Sequence, residues 1–195
     1  VTRWRRIGEL ARSFESDKAS TTTALAAYEK VVALDQSNPW DSIYLGRLYR
    51  QAGNLPKSRT TFEAALTRLP EGAERDRMVL FNENGDVLRD SGLLAEALAN
   101  FEGGKVVAEK LVETSPDNTE WQRDLSVSHN KIGDVLRDQG DLAGALQAFR
   151  ASLAIAERLA ADDPSHAGWQ RDVAVSYIKL ALMEGSGVTW TQVAA

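Results

Sequence analysis

The chain has 195 residues, 43% of them apolar and 26% charged, with a net charge of −5 and no cysteine. The missing cysteine excludes disulfides, thiolate metal sites and a cysteine nucleophile, and the acidic balance argues against a nucleic-acid partner. No apolar run approaches the roughly 20 residues that span a bilayer and no secretory signal is visible, so a cytoplasmic protein without a membrane partner is expected.

From the N-terminus onward nearly every segment reads as helix. Alanine, leucine, glutamate and arginine dominate and β-branched runs are short. The chain opens on Val1 rather than Met, which predicts a fragment of a longer protein. Breaks fall at regular places. Gly53-Asn54, Ser91-Gly92 and Gly140-Asp141 each separate a pair of helix-period stretches. The glycines suit a left-handed helix end. Asn54 and Asp141 suit an N-cap, and Pro56 suits a first turn. Longer breaks carry proline at Asn38-Pro39, Leu69-Pro70, Ser115-Pro116 and Asp163-Pro164. The order is helix, tight turn, helix, longer turn, which is the pattern of stacked helical hairpins. An internal echo supports it. Gly85–Asp90 recurs at Gly133–Asp138, and Trp121–Lys131 recurs at Trp169–Lys179, both 48 residues on. Self-similarity at a fixed period of this size marks a repeat array.

Residues in register resemble the tetratricopeptide repeat, whose first helix carries Trp-x2-Leu-Gly-x2-Tyr and whose second carries Ala-x3-Phe before a proline. Trp4, Ile7, Gly8 and Ala11 fit a first helix, and Ala24 and Tyr28 a second, with extra residues around Glu15–Thr21 lengthening the turn. Leu45, Gly46 and Tyr49 follow, with Ser58 in the alanine slot, then Phe62, Ala65 and Pro70. Phe81, Gly85, Leu88, Gly92, Ala97 and Phe101 form the next set, and His129, Ile132, Gly133, Leu136, Gly140, Ala145 and Phe149 the one after. Tyr177 and Leu180 begin a further unit whose second helix is missing or aberrant. The resemblance implies an all-α, right-handed α-α superhelix of hairpins. The units fall at about 1–38, 39–72, 73–116 and 117–164, with a partial one at 165–195.

Gly46, Gly85 and Gly133 on first helices and Ala97 and Ala145 on second helices are expected to let paired helices approach. Phe62, Phe101 and Phe149 are expected to fill the space between hairpins. The second-helix aromatics Tyr28, Phe62, Phe101 and Phe149 are 34, 39 and 48 residues apart. The added residues, 106–113 and 121–128, are helix-compatible, so the later hairpins are expected to be taller, as in kinesin-light-chain-type repeats. The two Trp-Gln-Arg-Asp segments are expected to be structural joints, with each indole covering the end of the preceding hairpin. His129 is expected to pack between helices.

Members of this family bind a peptide or partner helix on the face lined by the first helices. Counting from each signature glycine, the lining positions are Arg5, Arg6, Glu9 and Arg12; Ile43, Tyr44, Arg47 and Arg50; Asn82, Glu83, Asp86 and Arg89; and Asn130, Lys131, Asp134 and Arg137. Ile178 and Lys179 start a fifth set. Asn82 and Asn130 share a slot. An asparagine offers donor and acceptor together and can hold a peptide backbone whatever its sequence; the resemblance to kinesin-light-chain repeats implies that role. Asp86 with Arg89, and Asp134 with Arg137, are read as i,i+3 ion pairs, or as arginines left for an acidic partner. The arginines of the first two units, with Trp40 and Tyr44, could receive an acidic or aromatic segment. The lysine-asparagine clamp of chaperone-binding members is absent, since its slots hold Ile43, Tyr44, Glu83 and Lys131.

No phosphate loop, nucleophile motif or metal-ligand spacing stands out, so neither enzyme activity nor a cofactor is expected. The expectation is a non-catalytic scaffold for a protein or peptide partner, within a larger protein. The alternative is self-association, as a homodimer, through the half-repeat at the C-terminal end.

Overall fold

The computed structural model describes residues 1–12 and 18–183, and among these residues all regular secondary structure is helical. The helices are α1 Thr2–Arg12, α2 Lys18–Leu34, α3 Pro39–Gln51, α4 Leu55–Arg68, α5 Glu74–Asp90, α6 Leu94–Thr114, α7 Thr119–Asp138, α8 Leu142–Asp162 and α9 Ala167–Ala181. The chain divides into two compact units, Val1–Leu93 and Leu94–Ala195. The division falls in the turn after α5, inside the third unit read from the sequence. One expectation is corrected at the front. Lys18–Thr21 belong to α2 rather than to a long turn, consistent with a run of Lys, Ala, Ser and Thr that lacks any helix breaker. The rest of that turn, and everything expected of residues 184–195, lie outside the described residues.

The tight turns form as their sequence demands. Gly53, Gly92 and Gly140 have φ of 75°, 75° and 84°. In each turn the glycine N–H reaches back to the carbonyl of Arg50, Arg89 or Arg137 at 2.9 Å, and the next N–H reaches Tyr49, Leu88 or Leu136 at 2.8–2.9 Å. These paired bonds satisfy helix-end carbonyls that would otherwise be orphaned. The following helix is then capped. Asn54 accepts from the Lys57 N–H, and Asp141 from the Gly144 N–H. Asn38 and Asn118 cap α3 and α7 in the same way.

In the first unit, the rings of Tyr28 and Phe62 lie on glycines of the first helix of their own hairpin. A Cβ at Gly8 would sit 2.7 Å from the Tyr28 ring, and one at Gly46 would sit 2.3 Å from the Phe62 ring. Phe62 also joins Ile43, Ala65, Leu80 and Val87 in one core cluster, so it links α3, α4 and α5. The expected role between hairpins holds, and a second role within the hairpin is added. Ser58, in the alanine slot, is buried and donates to the Gly46 carbonyl at 2.7 Å, so its hydroxyl costs nothing there. Ala24, Tyr28, Val31, Leu45, Leu48 and Tyr49 fill the space between α2 and α3.

In the second unit the helices are longer. α6, α7 and α8 have 21, 20 and 21 residues, against 13 and 14 for α3 and α4. The added residues do extend helices rather than loops. Phe149 repeats the packing motif, with a Cβ at Gly133 lying 2.5 Å from its ring. Ala145, Phe149, Leu180 and Met183 then bury together, seating α9 on α8. Gln122 and Gln170 make the joint of the two Trp-Gln-Arg-Asp segments. Each donates its side-chain amide to the carbonyl of the proline six residues earlier, Pro116 or Pro164. Trp169 stacks on His166, the N-cap of its own helix, at 4.1 Å.

The Gly46–Phe62 contact predicts that Gly46→Ala costs about 1–3 kcal/mol by overpacking. Adding Phe62→Leu should recover some of that loss. Urea unfolding of the two single variants and the double variant measures the coupling.

Candidate partner-binding faces

In the first unit the first helices α1, α3 and α5 are tied side by side by charge. The Arg5 guanidinium donates to both oxygens of Asp41, at 3.0, 3.2 and 2.5 Å. Asp41 stands in the first turn of α3, where the helix field favours a carboxylate, and only 2% of it is exposed. This hydrogen bond is the chief reason the Arg5 pKa is raised, against the opposing effect of burial. One step along, Arg47 donates to Glu83 at 2.9 and 2.6 Å. Arg50 donates to Asp90 at 2.6 Å and to Asp86 at 3.3 Å. The Trp40 indole N–H donates to Asp76 at 3.0 Å. A cleft of about 350 Å³ opens at Arg47, Arg50, Gln51 and Asp90.

These pairs change the reading of the arginines. Arg5, Arg47 and Arg50 each meet a carboxylate of the next first helix. Arg6 differs. It is exposed, with Glu9 at 4.0 Å. The side chain of Arg12 lies outside the described residues. Ile43 is also corrected. It is fully buried in the cluster with Phe62 and Leu80, since an apolar side chain at that position turns into the core and cannot line a face. Tyr44 is half-buried, with its ring 5.6 Å from Tyr28 and 5.9 Å from Trp40. Asn82 is half-buried, and its side-chain carbonyl oxygen is enclosed with no hydrogen-bond partner. Arg89 lies in the last turn of α5 and is half-buried.

In the second unit α7 grips α9. Arg123 pairs with Asp172. Lys179 donates to both oxygens of Asp134 at 2.6 Å. The Asp134–Arg137 pair expected along the helix is present at 3.5 Å, but Lys179 lies closer. Arg137 also meets Asp138 at 3.5 Å. The ammonium of Lys131 lies 5.3 Å from the centre of the Phe101 ring, and that of Lys179 5.4 Å from the centre of Phe149, both within cation–π range. Asn130 repeats Asn82. Its carbonyl oxygen is enclosed and unpartnered, while its amide nitrogen faces the Ser176 hydroxyl at 3.5 Å. Ser176 continues a buried chain of hydroxyls through Ser152, at 3.4 Å, to Ser126, at 2.8 Å.

Counting positions from the glycine overlooked the ladder between helices. Its signal was in the sequence. Arg5 and Asp41, Arg47 and Glu83, and Arg50 and Asp86 are opposite charges one repeat apart, each pair 36 residues apart.

In the first unit the α1–α2 and α3–α4 hairpins and α5 stack, and in the second α9 stacks on the α7–α8 hairpin, each with first helices side by side, which defines a helical-hairpin repeat protein. Residues 128–166 match the family described as tetratricopeptide repeat, and that stretch is a repeat of this family. No curated protein sequence matches the chain. Among solved structures, the chain is similar to a Podosopora anserina putative kinesin light chain with nearly identical tetratricopeptide-like repeats. The identity is 20%, covering 98% of this chain and 93% of that one, with a TM-score of 0.66. It is also similar to BtubC from P. vanneervenii, at 14% identity, 99% and 85% coverage, and TM-score 0.69. YrrB, described as a tetratricopeptide repeat protein with an unusual peptide-binding site, matches at 23% identity, 94% and 79% coverage, and TM-score 0.52. At these identities the likeness is one of fold. No described helix is long and apolar enough to cross a membrane.

Arg5→Ala should cost about 3 kcal/mol, because it strands the buried Asp41 carboxylate. Arg47→Ala, which breaks a pair open to solvent, should cost under about 1 kcal/mol. Chemical unfolding of both variants tests the contrast. A second expectation concerns His129. Burial, and then the nearby Lys105 charge, lower its pKa below the ordinary 6.5. The folded chain therefore binds this proton less readily than the unfolded chain, and stability falls as pH drops below the ordinary value. His129→Phe, which places the residue of the equivalent slot at 81, should remove that contribution to the dependence in melting curves taken across mildly acid to neutral pH.

Proposed function

We propose that this chain is a non-catalytic interaction module, in which the first helices of each unit, taken by itself, hold an extended peptide or a helix of a partner protein. The reading is carried by Asn82 and Asn130, which occupy one slot in successive repeats 48 residues apart. Each has a carbonyl oxygen without a hydrogen-bond partner in the protein. An unpaired buried acceptor costs about 1–3 kcal/mol, so a partner's backbone N–H that drew the amide outward would gain from pairing with it. The surrounding charges favour this mode. Arg47, Arg50, Asp134 and Lys179 are already paired between helices, so the amides hold the spare hydrogen-bonding capacity. Arg6, Tyr44, Asp86 and Arg89 on the first helices of the first unit, and Lys131 and Arg137 on α7 of the second, are the secondary contacts of this reading. The likeness to YrrB, whose description includes a peptide-binding site, points the same way.

A peptide array on the wild-type chain should yield binders, and changing both Asn82 and Asn130 to Ala should weaken them by about tenfold or more. Unchanged binding would remove the groove mechanism. Self-association, the other reading, concerns a different face and is separated from it by the experiment below.

A further inference from the structure

Three residues on one face of α7 hold the next first helix, α9. Arg123 meets Asp172, Asn130 meets Ser176, and Asp134 meets Lys179. One repeat of 48 residues later, the same three positions are Arg171, Ile178 and Leu182, all on or at the end of α9. Steps of seven and four residues keep them on one helix face. All three are exposed. Ile178 is 41% and Leu182 61% accessible, and no carboxylate among the described residues pairs with Arg171. Among the described residues, nothing covers the face that would meet a following first helix. It keeps the arginine of the internal junction and replaces the asparagine and aspartate with large apolar residues.

We propose that this face of α9 docks an amphipathic helix from another helical hairpin, acidic where it meets Arg171 and apolar where it meets Ile178 and Leu182. The internal junction supplies the template. Arg123 takes an aspartate one repeat along, so its counterpart Arg171 calls for a carboxylate in the same register. An apolar stripe in place of Asn130 and Asp134 calls for an apolar surface opposite, since solvent-facing ends of repeat arrays are polar. The first helix of a second copy matches less well: α1 exposes Trp4 and Leu10, but its one carboxylate, Glu9, stands beside Arg6, and Arg3 and Arg6 add like charge against Arg171.

The test uses the full chain and a labelled peptide of residues 167–183, constrained as a helix and carrying Ser176→Leu and Lys179→Leu. This peptide offers Asp172 to Arg171, and leucines to Ile178 and Leu182. Fluorescence anisotropy should show saturable binding. Arg171→Glu in the chain should weaken it by about tenfold, and Asp172→Lys in the peptide should restore it. Leu182→Asp should abolish binding while the melting temperature stays unchanged. Lack of saturable binding, or failure of the charge swap to restore it, would overturn the proposal. So would sedimentation showing that the chain alone forms dimers that Leu182→Asp dissolves, because that result assigns the face to a second copy.

Discussion

An aromatic ring resting on a glycine sets the distance between the two helices of a hairpin, and the other contacts follow from that spacing. At Gly46 and Gly133 there is no room for one more carbon beside Phe62 and Phe149. Interiors are close-packed, so such a contact transmits rather than absorbs a change in volume. The same rings reach onward. Phe62 touches α5 residues and Phe149 touches α9 residues. One side chain thus fixes both the closure of its own hairpin and the seat of the next first helix. A single hairpin has no other way to bury that ring, which is why the repeats depend on neighbours.

Once the first helices are seated, their polar faces come close enough to pair. The pairing differs between the units in a way that follows repeat length. In the first unit, arginines of one helix meet carboxylates 36 to 40 residues on. In the second, partners are 45 to 49 residues apart. There one pair reverses sign, because Asp134 accepts from Lys179. Such partly exposed pairs add little stability singly. Their larger effect is to occupy several first-helix charges with one another, whereas the side-chain carbonyl oxygens of Asn82 and Asn130 have no hydrogen-bond partner among the described residues.

Much of this was legible in the sequence because it rests on local chemistry. The glycine turns, the asparagine and aspartate caps, the small-residue contacts and the lengthened helices each need only a few neighbouring residues to be specified. The charge ladder was harder to read, since its partners lie one repeat away and the repeat length itself changes. Ile43 shows the limit of counting positions from a signature glycine. The slot that holds asparagine at 82 and 130 holds isoleucine there, and the apolar side chain rotates into the core beside Phe62. Identity of position does not carry identity of exposure when the residue type changes.

The same reasoning explains why the junction between first helices is more informative than any single residue on it. Arg123, Asn130 and Asp134 are ordinary polar side chains when viewed alone. Their meaning comes from what they touch on α9, and from what replaces them one repeat later. At Arg171 the charge is retained, whereas at Ile178 and Leu182 the polar groups give way to exposed apolar ones. Ile178 and Leu182, 41% and 61% accessible, forgo only part of the about 1.5–3 kcal/mol that full burial of such a side chain gives, a cost that a solvated surface would avoid with polar residues in those places. Retaining the cation beside that stripe adds direction to an otherwise non-directional attraction, because a carboxylate on the incoming helix fixes its register.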